Sequence, residues 1–415
     1  MSEIASIRSA VDALLCVSCG ACAAVCPQSA VTMQETPGGL LWPTVDGDRC
    51  TECGACAAIC PGLRLAPEVV AADMDPFEGH VSAVYRAQAT DPALLRDAQS
   101  GGAASVLVLA ALREGMIDRA VVTKWPDDGG LRPVTVATDD ATDIRSARGS
   151  KYCPAPIMST VAPILEERGR ICLVGLPCHI HALRNLQHES PRHRHAAVVA
   201  IGVVCDRLLS YIAIDYLIRR SGLDASRVKA FEFRSKHWRG WPGDTYVCEG
   251  SRKERYVPRE VRVACKDTFT PPACRLCFDK LNLLSDVTVG DGYGLGHDPA
   301  GVSGVLVRTE EGRRLVDCAA RSGALALKPV EPRRIFDGQA TEVRRREWSA
   351  YTHLWRGMGR LVPEFPIGGR WRDSIDEVRL NRLRRQLEWG VFMAKCDSRD
   401  QFIKAAYAHV CPQSL

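Results

Sequence analysis

Eight cysteines between residues 16 and 60 form two copies of one pattern, Cys-x2-Cys-x2-Cys-x3-Cys-Pro. The copies are Cys16, Cys19, Cys22 and Cys26, then Cys50, Cys53, Cys56 and Cys60. This spacing is that of a bacterial [4Fe-4S] motif in which the fourth cysteine of each run ligates the other cluster. We therefore predict two crossed ligand sets, Cys16, Cys19, Cys22 and Cys60 for one cluster and Cys50, Cys53, Cys56 and Cys26 for the other.

Structural zinc is the alternative for these thiols, because zinc also takes four thiolate ligands. Zinc sites usually pair two Cys-x2–4-Cys knuckles across a long spacer, which these compact runs do not have. Small residues between the cysteines allow backbone N–H groups to approach the sulfurs: Gly20, Ala21, Gly54 and Ala55. Residues 1–64 are therefore predicted to be a ferredoxin-like α+β domain with two [4Fe-4S] clusters.

A second group of candidate ligands lies further along the chain. Cys274 and Cys277 form a Cys-x2-Cys pair, and Cys178 and Cys205 each follow a predicted strand. Because ligands gather where the strands of an α/β sheet end, these thiols are candidates for a third metal site. Small buried apolar residues are the alternative, which we prefer for Cys172, Cys248 and Cys318. Four cysteines have no assigned role: Cys153, Cys265, Cys396 and Cys411.

Composition narrows the class of protein. The chain has 415 residues, of which 46% are hydrophobic and 25% charged, and its formal net charge is +5. No run reaches the roughly 20 apolar residues of a membrane helix, and residues 1–10 lack a signal-peptide core, so a cytoplasmic protein is expected. Nineteen cysteines in such a chain favour metal ligation over disulfides. Scattered basic residues give no indication of a nucleic-acid partner.

Strands and helices alternate after residue 100, which predicts a larger α/β domain with a mixed sheet. We predict helices over 103–113 and 159–168, a turn over 176–178 followed by a helix to about residue 186, and strands over 119–124, 170–175, 196–205 and 286–290. Residues 65–95 are predicted to be a linker, 96–340 the larger domain and 341–415 a helical C-terminal extension. Ser374 and Glu377 are predicted to form a capping box there.

Several short motifs occur in order: Ser100–Gly102, Gly149-Ser150-Lys151-Tyr152, Gly175-Leu176-Pro177-Cys178, Phe233-Arg234-x-Lys236, Cys274-x2-Cys277 and Gly290-Asp291. Together they resemble the family of coenzyme F420 hydrogenase/dehydrogenase beta subunits over residues 10–310. The resemblance implies an FAD-binding domain with a third [4Fe-4S] cluster. Its implied cluster ligands are Cys178, Cys205, Cys274 and Cys277.

The resemblance also implies a set of residues that line the flavin site: Ser100, Gly101, Gly102, Gly149, Ser150, Lys151, Tyr152 and Asp291. Lys236 is implied as a cationic catalytic candidate beside the flavin. His179 is a candidate proton donor, with a structural imidazole at a helix start as the alternative. The chain departs from the family where Leu176 and His179 replace threonine and glutamine, and where Asp206 and Arg207 follow Cys205 in place of histidine and glycine. The substrate therefore stays open.

The resemblance implies an iron-sulfur, flavin-dependent oxidoreductase that moves electrons between ferredoxin-type clusters, FAD and a deazaflavin coenzyme or small organic substrate. An electron-relay subunit of a larger hydrogenase or dehydrogenase complex, with no substrate of its own, is the alternative. A third interpretation keeps the clusters as structural or sensing elements. The expected partners are a redox protein or a reduced carrier, either ferredoxin or deazaflavin, and a homo-oligomer or larger redox complex is compatible with the sequence.

Overall fold

The amino-terminal module, residues 6–64, is built from short elements on either side of an internal repeat. In this computed structural model, residues 6–71, 73–167, 169–250, 253–367 and 375–410 are described. The elements of the module are α1 (Arg8–Asp12), α2 (Ala21–Ala24), β1 (Val31–Glu35), β2 (Leu41–Val45) and α3 (Ala55–Ala58). β1 and β2 pair as an antiparallel ribbon. Gly20 and Gly54 take left-handed conformations before α2 and α3, so the sequence repeat is also a backbone repeat.

The larger domain follows as alternating strands and helices. Its strands are β3 (Ala83–Ala89), β4 (Arg119–Lys124), β5 (Val134–Thr138), β6 (Arg170–Gly175), β7 (Ala197–Val203), β8 (Ala230–Ser235), β9 (Asp244–Cys248), β10 (Glu254–Val257), β11 (Val287–Asp291), β12 (Ser303–Val307) and β13 (Leu325–Pro329). Its α-helices are α4 (Pro92–Asp97), α5 (Ala103–Arg113), α6 (Ala141–Ser146), α7 (Met158–Ile164), α8 (Pro177–Glu189), α9 (Ile212–Ser221), α10 (Arg259–Phe269), α11 (Pro272–Arg275), α12 (Glu310–Arg321) and α13 (Pro332–Gly338). The extension adds α14 (Thr341–Gly357), α15 (Glu377–Lys395) and α16 (Arg399–Val410).

Eight strands form a mixed sheet in the order β13-β3-β12-β11-β7-β6-β4-β5. The four strands β4, β6, β7 and β11 run parallel, and the outer strands on both sides are antiparallel to their neighbours. The apolar runs of β6 and β7 are buried because they lie in the middle of the sheet. The parallel strands end at one edge, which brings together the residues after Gly175, Val203 and Asp291.

The predicted mixed α/β architecture and helical tail are confirmed, and three elements have the predicted bounds: α5, β4 and β6. The helix predicted over 159–168 runs from Met158 to Ile164, and Arg168 lies outside the described residues. The turn predicted over 176–178 is shorter than expected, because Pro177 and Cys178 already belong to α8. Proline at this first helical position loses no intrahelical hydrogen bond.

The prediction of a linker over 65–95 was wrong for part of that range. β3 lies inside the sheet between β12 and β13, and α4 follows it. The hydrophobic periodicity of residues 65–95 was too weak to predict β3, which pairs with a neighbouring strand on each side. In the extension, Asp376 caps α15 by accepting a hydrogen bond from the Arg379 N–H at 2.8 Å. The predicted partner Ser374 lies outside the described residues.

Direct hydrogen bonds join the module to the larger domain. The N–H of Met158 donates to the Cys19 carbonyl at 2.9 Å, and the buried amide of Asn185 donates to the Arg64 carbonyl at 3.0 Å. A side chain at Gly20 would lie 2.4 Å from the Ser159 hydroxyl oxygen, so glycine permits this close approach. No helix in the described part of the chain is both long and apolar enough to cross a membrane.

Candidate functional site

One cysteine of the first run joins three of the second around a cavity at the surface of the module. This outer set consists of Cys26, Cys50, Cys53 and Cys56, which all line the cavity. Cys53 is exposed and the other three are half-buried. The Ala30 N–H donates to the Cys26 sulfur at 3.2 Å, which is the type of contact that stabilises a cluster thiolate. The structure thus brings together the residues of one predicted crossed set.

The inner set consists of Cys16, Cys19, Cys22 and Cys60, and all four are buried. Burial raises the pKa of Cys19 to about 11 and that of Cys60 to about 12. The negative charge of Cys60 is a further cause of the raised pKa of both Cys16 and Cys22, so Cys60 lies beside the first run. Thiolates in such surroundings need a positively charged partner, which cluster iron would supply.

The third set consists of Cys178, Cys205, Cys274 and Cys277, which come from three separate segments. Cys178 begins α8, Cys205 follows β7, and Cys274 and Cys277 lie in and after α11. Burial is the main cause of the raised pKa of Cys178, and the charges of Cys205, Cys274 and Cys277 raise it further. The four thiols therefore lie near enough to influence one another, and their role as ligands of a third cluster stays a prediction.

The inner set lies between the outer set and the third set. The charge of Cys56 contributes to the raised pKa of Cys22 and Cys60, which places the outer set beside the inner set. Cys274 acts in the same way on Cys16, which places the inner set beside the third. In the described residues no three His, Cys, Asp or Glu side chains converge as a single metal ion requires.

A cavity of about 980 Å³ opens at the carboxyl edge of the parallel strands. Most of the residues predicted for the flavin site line it: Ser100, Gly102, Gly149, Ser150, Lys151, Tyr152 and Asp291. Cys205 of the third set and His179 line it as well. The first turn of α5 also faces the cavity, so its N–H groups and positive dipole end favour an anionic ligand there. The volume, the amino-terminal end of α5 and the basic residues fit a flavin dinucleotide.

Two of the residues predicted for the flavin site and its catalysis do not line the cavity. Gly101 is packed behind it, where an added Cβ would lie 2.3 Å from the Ala87 carbonyl oxygen. The ammonium of Lys236 donates to the carbonyls of Leu95 at 2.7 Å and Ser100 at 2.8 Å, and burial lowers its pKa to about 8. Lys236 therefore fixes the segment before α5 instead of presenting its charge to a ligand.

Two backbone groups contact the His179 ring. Its Nδ1 accepts the Leu176 N–H at 3.1 Å, and the Ala155 carbonyl interacts with the ring. Burial lowers the pKa of His179 to about 4, so the ring is neutral near pH 7. These contacts favour the structural interpretation of His179 over a proton donor.

The cavity is strongly basic. Nine cationic side chains and four carboxylates line it. The cations are Arg148, Lys151, Arg207, Arg234, Arg259, Arg262, Lys266, Lys280 and Arg382. Asp291 accepts two hydrogen bonds from Arg234, at 2.6 and 3.0 Å, and a third from the Trp241 indole at 2.7 Å. Arg234 also donates to the Tyr152 hydroxyl at 3.0 Å, so the predicted residues Tyr152 and Asp291 are held in one network.

We did not predict from the sequence that α10 forms one wall of the cavity. Arg259, Arg262 and Lys266 share one face of this helix, and Arg382 of α15 approaches it by bonding to Asp267 at 2.8 Å. The spacing of i, i+3 and i+7 in an amphipathic helix is a signal that could have identified this face. Nothing in the sequence indicated that α15 would reach the cavity.

Comparisons with known proteins define the class first. Residues 15–62 match the 4Fe-4S dicluster domain, so the chain is an iron-sulfur protein. Two further matches are to the beta subunit of coenzyme F420 hydrogenase/dehydrogenase, its amino-terminal part at residues 84–162 and its carboxyl-terminal part at residues 168–333. The chain belongs to this family of coenzyme F420 hydrogenase/dehydrogenase beta subunits, which confirms the predicted resemblance.

The names of curated relatives also refer to F420. The coenzyme F420 hydrogenase subunit beta of Methanosarcina barkeri is 26% identical over 264 residues, 62% of this chain and 85% of the relative. A subunit of the F(420)H(2) dehydrogenase of Methanosarcina mazei is 26% identical over 342 residues, 80% of this chain and 90% of the relative. The coenzyme F420-dependent sulfite reductase of Methanocaldococcus jannaschii is 24% identical over 345 residues, 78% of this chain but 49% of the relative.

A solved structure shares the fold. A chain of the F420-reducing [NiFe] hydrogenase complex from Methanosarcina barkeri aligns with a TM-score of 0.54 and 24% identity, covering 70% of this chain and 98% of that chain. The comparisons thus support an oxidoreductase family with a [4Fe-4S] dicluster domain. FAD and the third cluster stay predictions.

Proposed function

We propose that the protein is an iron-sulfur flavoprotein oxidoreductase that transfers electrons between a flavin in the large cavity and the clusters of the amino-terminal module. The physiological hydride carrier or substrate would be a deazaflavin coenzyme, as the names of the relatives suggest, or a small organic molecule. A flavin is suited to this position because it exchanges two electrons with a hydride donor and single electrons with iron.

The position of Cys205 carries this proposal. Cys205 belongs to the third set of thiols and also lines the cavity, so a cluster on that set would face the bound flavin. From there the inner set and then the outer set continue towards the surface, where Cys53 is exposed. A hydride delivered to the flavin would leave as two single electrons along this route, and its proton would pass to solvent.

The chain's own residues would hold the dinucleotide. The first turn of α5 and the loop around Gly149 would receive phosphate, and a Cβ at Gly149 would meet no atom within 4 Å. The Arg234–Asp291 pair would fix Tyr152 against the ring system. Lys236 and His179 would act as positioning residues, because their polar atoms already bond to backbone groups.

Anaerobic reconstitution tests this function. We expect iron and acid-labile sulfide for three [4Fe-4S] clusters and one bound FAD per chain. Reduced deazaflavin or reduced ferredoxin, mixed separately with the protein, should bleach the flavin absorbance, and the faster donor identifies the partner. Failure to bind FAD, or no bleaching with either donor, would contradict the proposal.

A relay subunit is the second candidate, and the exposed outer set favours it. A cluster held by Cys53 at the surface is accessible to another redox protein. A pure relay would pass electrons from reduced deazaflavin to added ferredoxin but would not convert any small substrate alone. Measured turnover of an organic substrate by the isolated chain would exclude this candidate.

A further inference from the structure

One cation in the cavity differs from the others. Arg262 is 7% exposed, yet its Nε has no hydrogen-bond partner, and its guanidinium forms no ion pair with any described residue. The remaining eight cations of the cavity wall all hydrogen-bond or pair with carboxylates or carbonyls. A buried guanidinium without a counter-charge costs free energy, so such a group is retained where a ligand supplies the anion.

The surroundings of Arg262 also favour an anion. Its guanidinium lies over the Tyr152 ring, 5.5 Å from the ring centre. Asp291 is a nearby carboxylate, but its oxygens already accept from Arg234 and Trp241. Burial is the main cause of the lowered pKa of Arg262, and the positive charge of Arg234 lowers it further. Two arginines thus add positive charge to the same region, and only one of them is neutralised within the protein.

We propose that Arg262 binds an oxyanion group, a phosphate or carboxylate, of the molecule that occupies the cavity. The planar guanidinium can donate two parallel hydrogen bonds to such a group while the Tyr152 ring supports its other face. The proposal deepens the proposed function and rests on the same cavity. The oxyanion has two sources, either the phosphates of the flavin dinucleotide or the charged group of the substrate or carrier.

The first test uses stability without any flavin. Flavin-free, cluster-loaded protein is heated anaerobically with and without inorganic pyrophosphate. We expect pyrophosphate to raise the melting temperature of the wild type, with an apparent affinity that falls at least about tenfold in Arg262→Met, since hydrogen bonds to charged groups are lost. Without pyrophosphate, Arg262→Met should melt no lower than the wild type, because an unpaired buried charge has been removed.

Arg308→Met is the matched control, because Arg308 is also buried but lies outside the cavity. Its guanidinium donates to Thr288, to the Glu78 and His80 carbonyls and to the Leu281 carbonyl. This variant should melt well below the wild type because it removes the four hydrogen bonds of a buried guanidinium. If Arg262→Met melts equally low, or if pyrophosphate stabilises it as much as the wild type or stabilises neither, the proposal is wrong.

Binding of flavins then separates the two sources. If Arg262 holds a phosphate of the cofactor, Arg262→Met weakens FAD binding and leaves riboflavin binding unchanged. If it holds the substrate or carrier, FAD binding is unchanged, and the flavin-loaded variant loses affinity for pyrophosphate or citrate. A wild type that binds pyrophosphate through Arg262 but binds no FAD would contradict the proposed function and leave this inference intact.

Discussion

The amino-terminal module takes its cysteines from residues 16–60, whereas the third set and the cavity draw on segments between residues 98 and 382. In the module, short spacing and two glycine turns bring the thiols together almost locally. In the larger domain, the ends of β6, β7 and β11 must first be aligned by the sheet before Cys178, Cys205 and Asp291 can meet. A local site depends on spacing, and a dispersed site depends on the fold.

The largest expected effect comes from one substitution in each region. Cys274→Ser removes a thiol of the third set, and Cys53→Ser removes a thiol of the outer set. With reduced deazaflavin as donor, we expect Cys274→Ser to slow the reduction of the inner cluster at least about 100-fold while flavin reduction persists. In Cys53→Ser the inner cluster should still be reduced at the wild-type rate, and only electron transfer to an external acceptor should be lost.

Anaerobic stopped-flow absorbance with cluster-specific electron paramagnetic resonance measures both steps. Cys396→Ser is the control, because its thiol donates to the Met393 carbonyl away from all three sets. If inner-cluster reduction slows equally in Cys53→Ser and Cys274→Ser, the proposed order of electron transfer is wrong.

The second prediction concerns the buried network of the dispersed site. Asp291→Asn leaves Arg234, whose side chain is 3% exposed, without its counter-charge. We expect the free energy of unfolding to fall by about 3 to 5 kcal/mol, as for other broken buried ion pairs. Differential scanning calorimetry provides the measurement. Glu310→Gln is the control, because it breaks an exposed ion pair with Arg313. It should change the free energy of unfolding by less than about 1 kcal/mol.

The smallest effect is a pH dependence within the cavity. Burial lowers the pKa of Lys151 to about 7, and its ammonium donates to the Ala147, Arg148 and Gly149 carbonyls. Below this pKa the cavity has one more positive charge, and above it that charge is lost. We therefore expect the affinity for sulfate, whose own charge does not change in this range, to fall a few-fold, at most about tenfold, from pH 6 to pH 8.

Fluorescence-monitored displacement or calorimetric titration of the flavin-free protein detects this change. Lys151→Gln should bind sulfate more weakly and with little pH dependence over this range. The amino-terminal clusters should give unchanged absorbance across the same titration. A wild-type affinity that rises with pH would contradict the assigned charge.

The sequence alone determined the features that depend on neighbouring residues. Cysteine spacing predicted the crossed sets that the structure brings together, and apolar runs predicted β4, β6 and α5 with their observed bounds. Only the tertiary structure decided that β3 belongs to the sheet, that Lys236 and His179 bond to backbone, and that α10 and α15 close the cavity with Arg262 unpaired. Periodicity reports which face of an element is apolar, whereas the partner of a buried charge is set by residues far away in the chain.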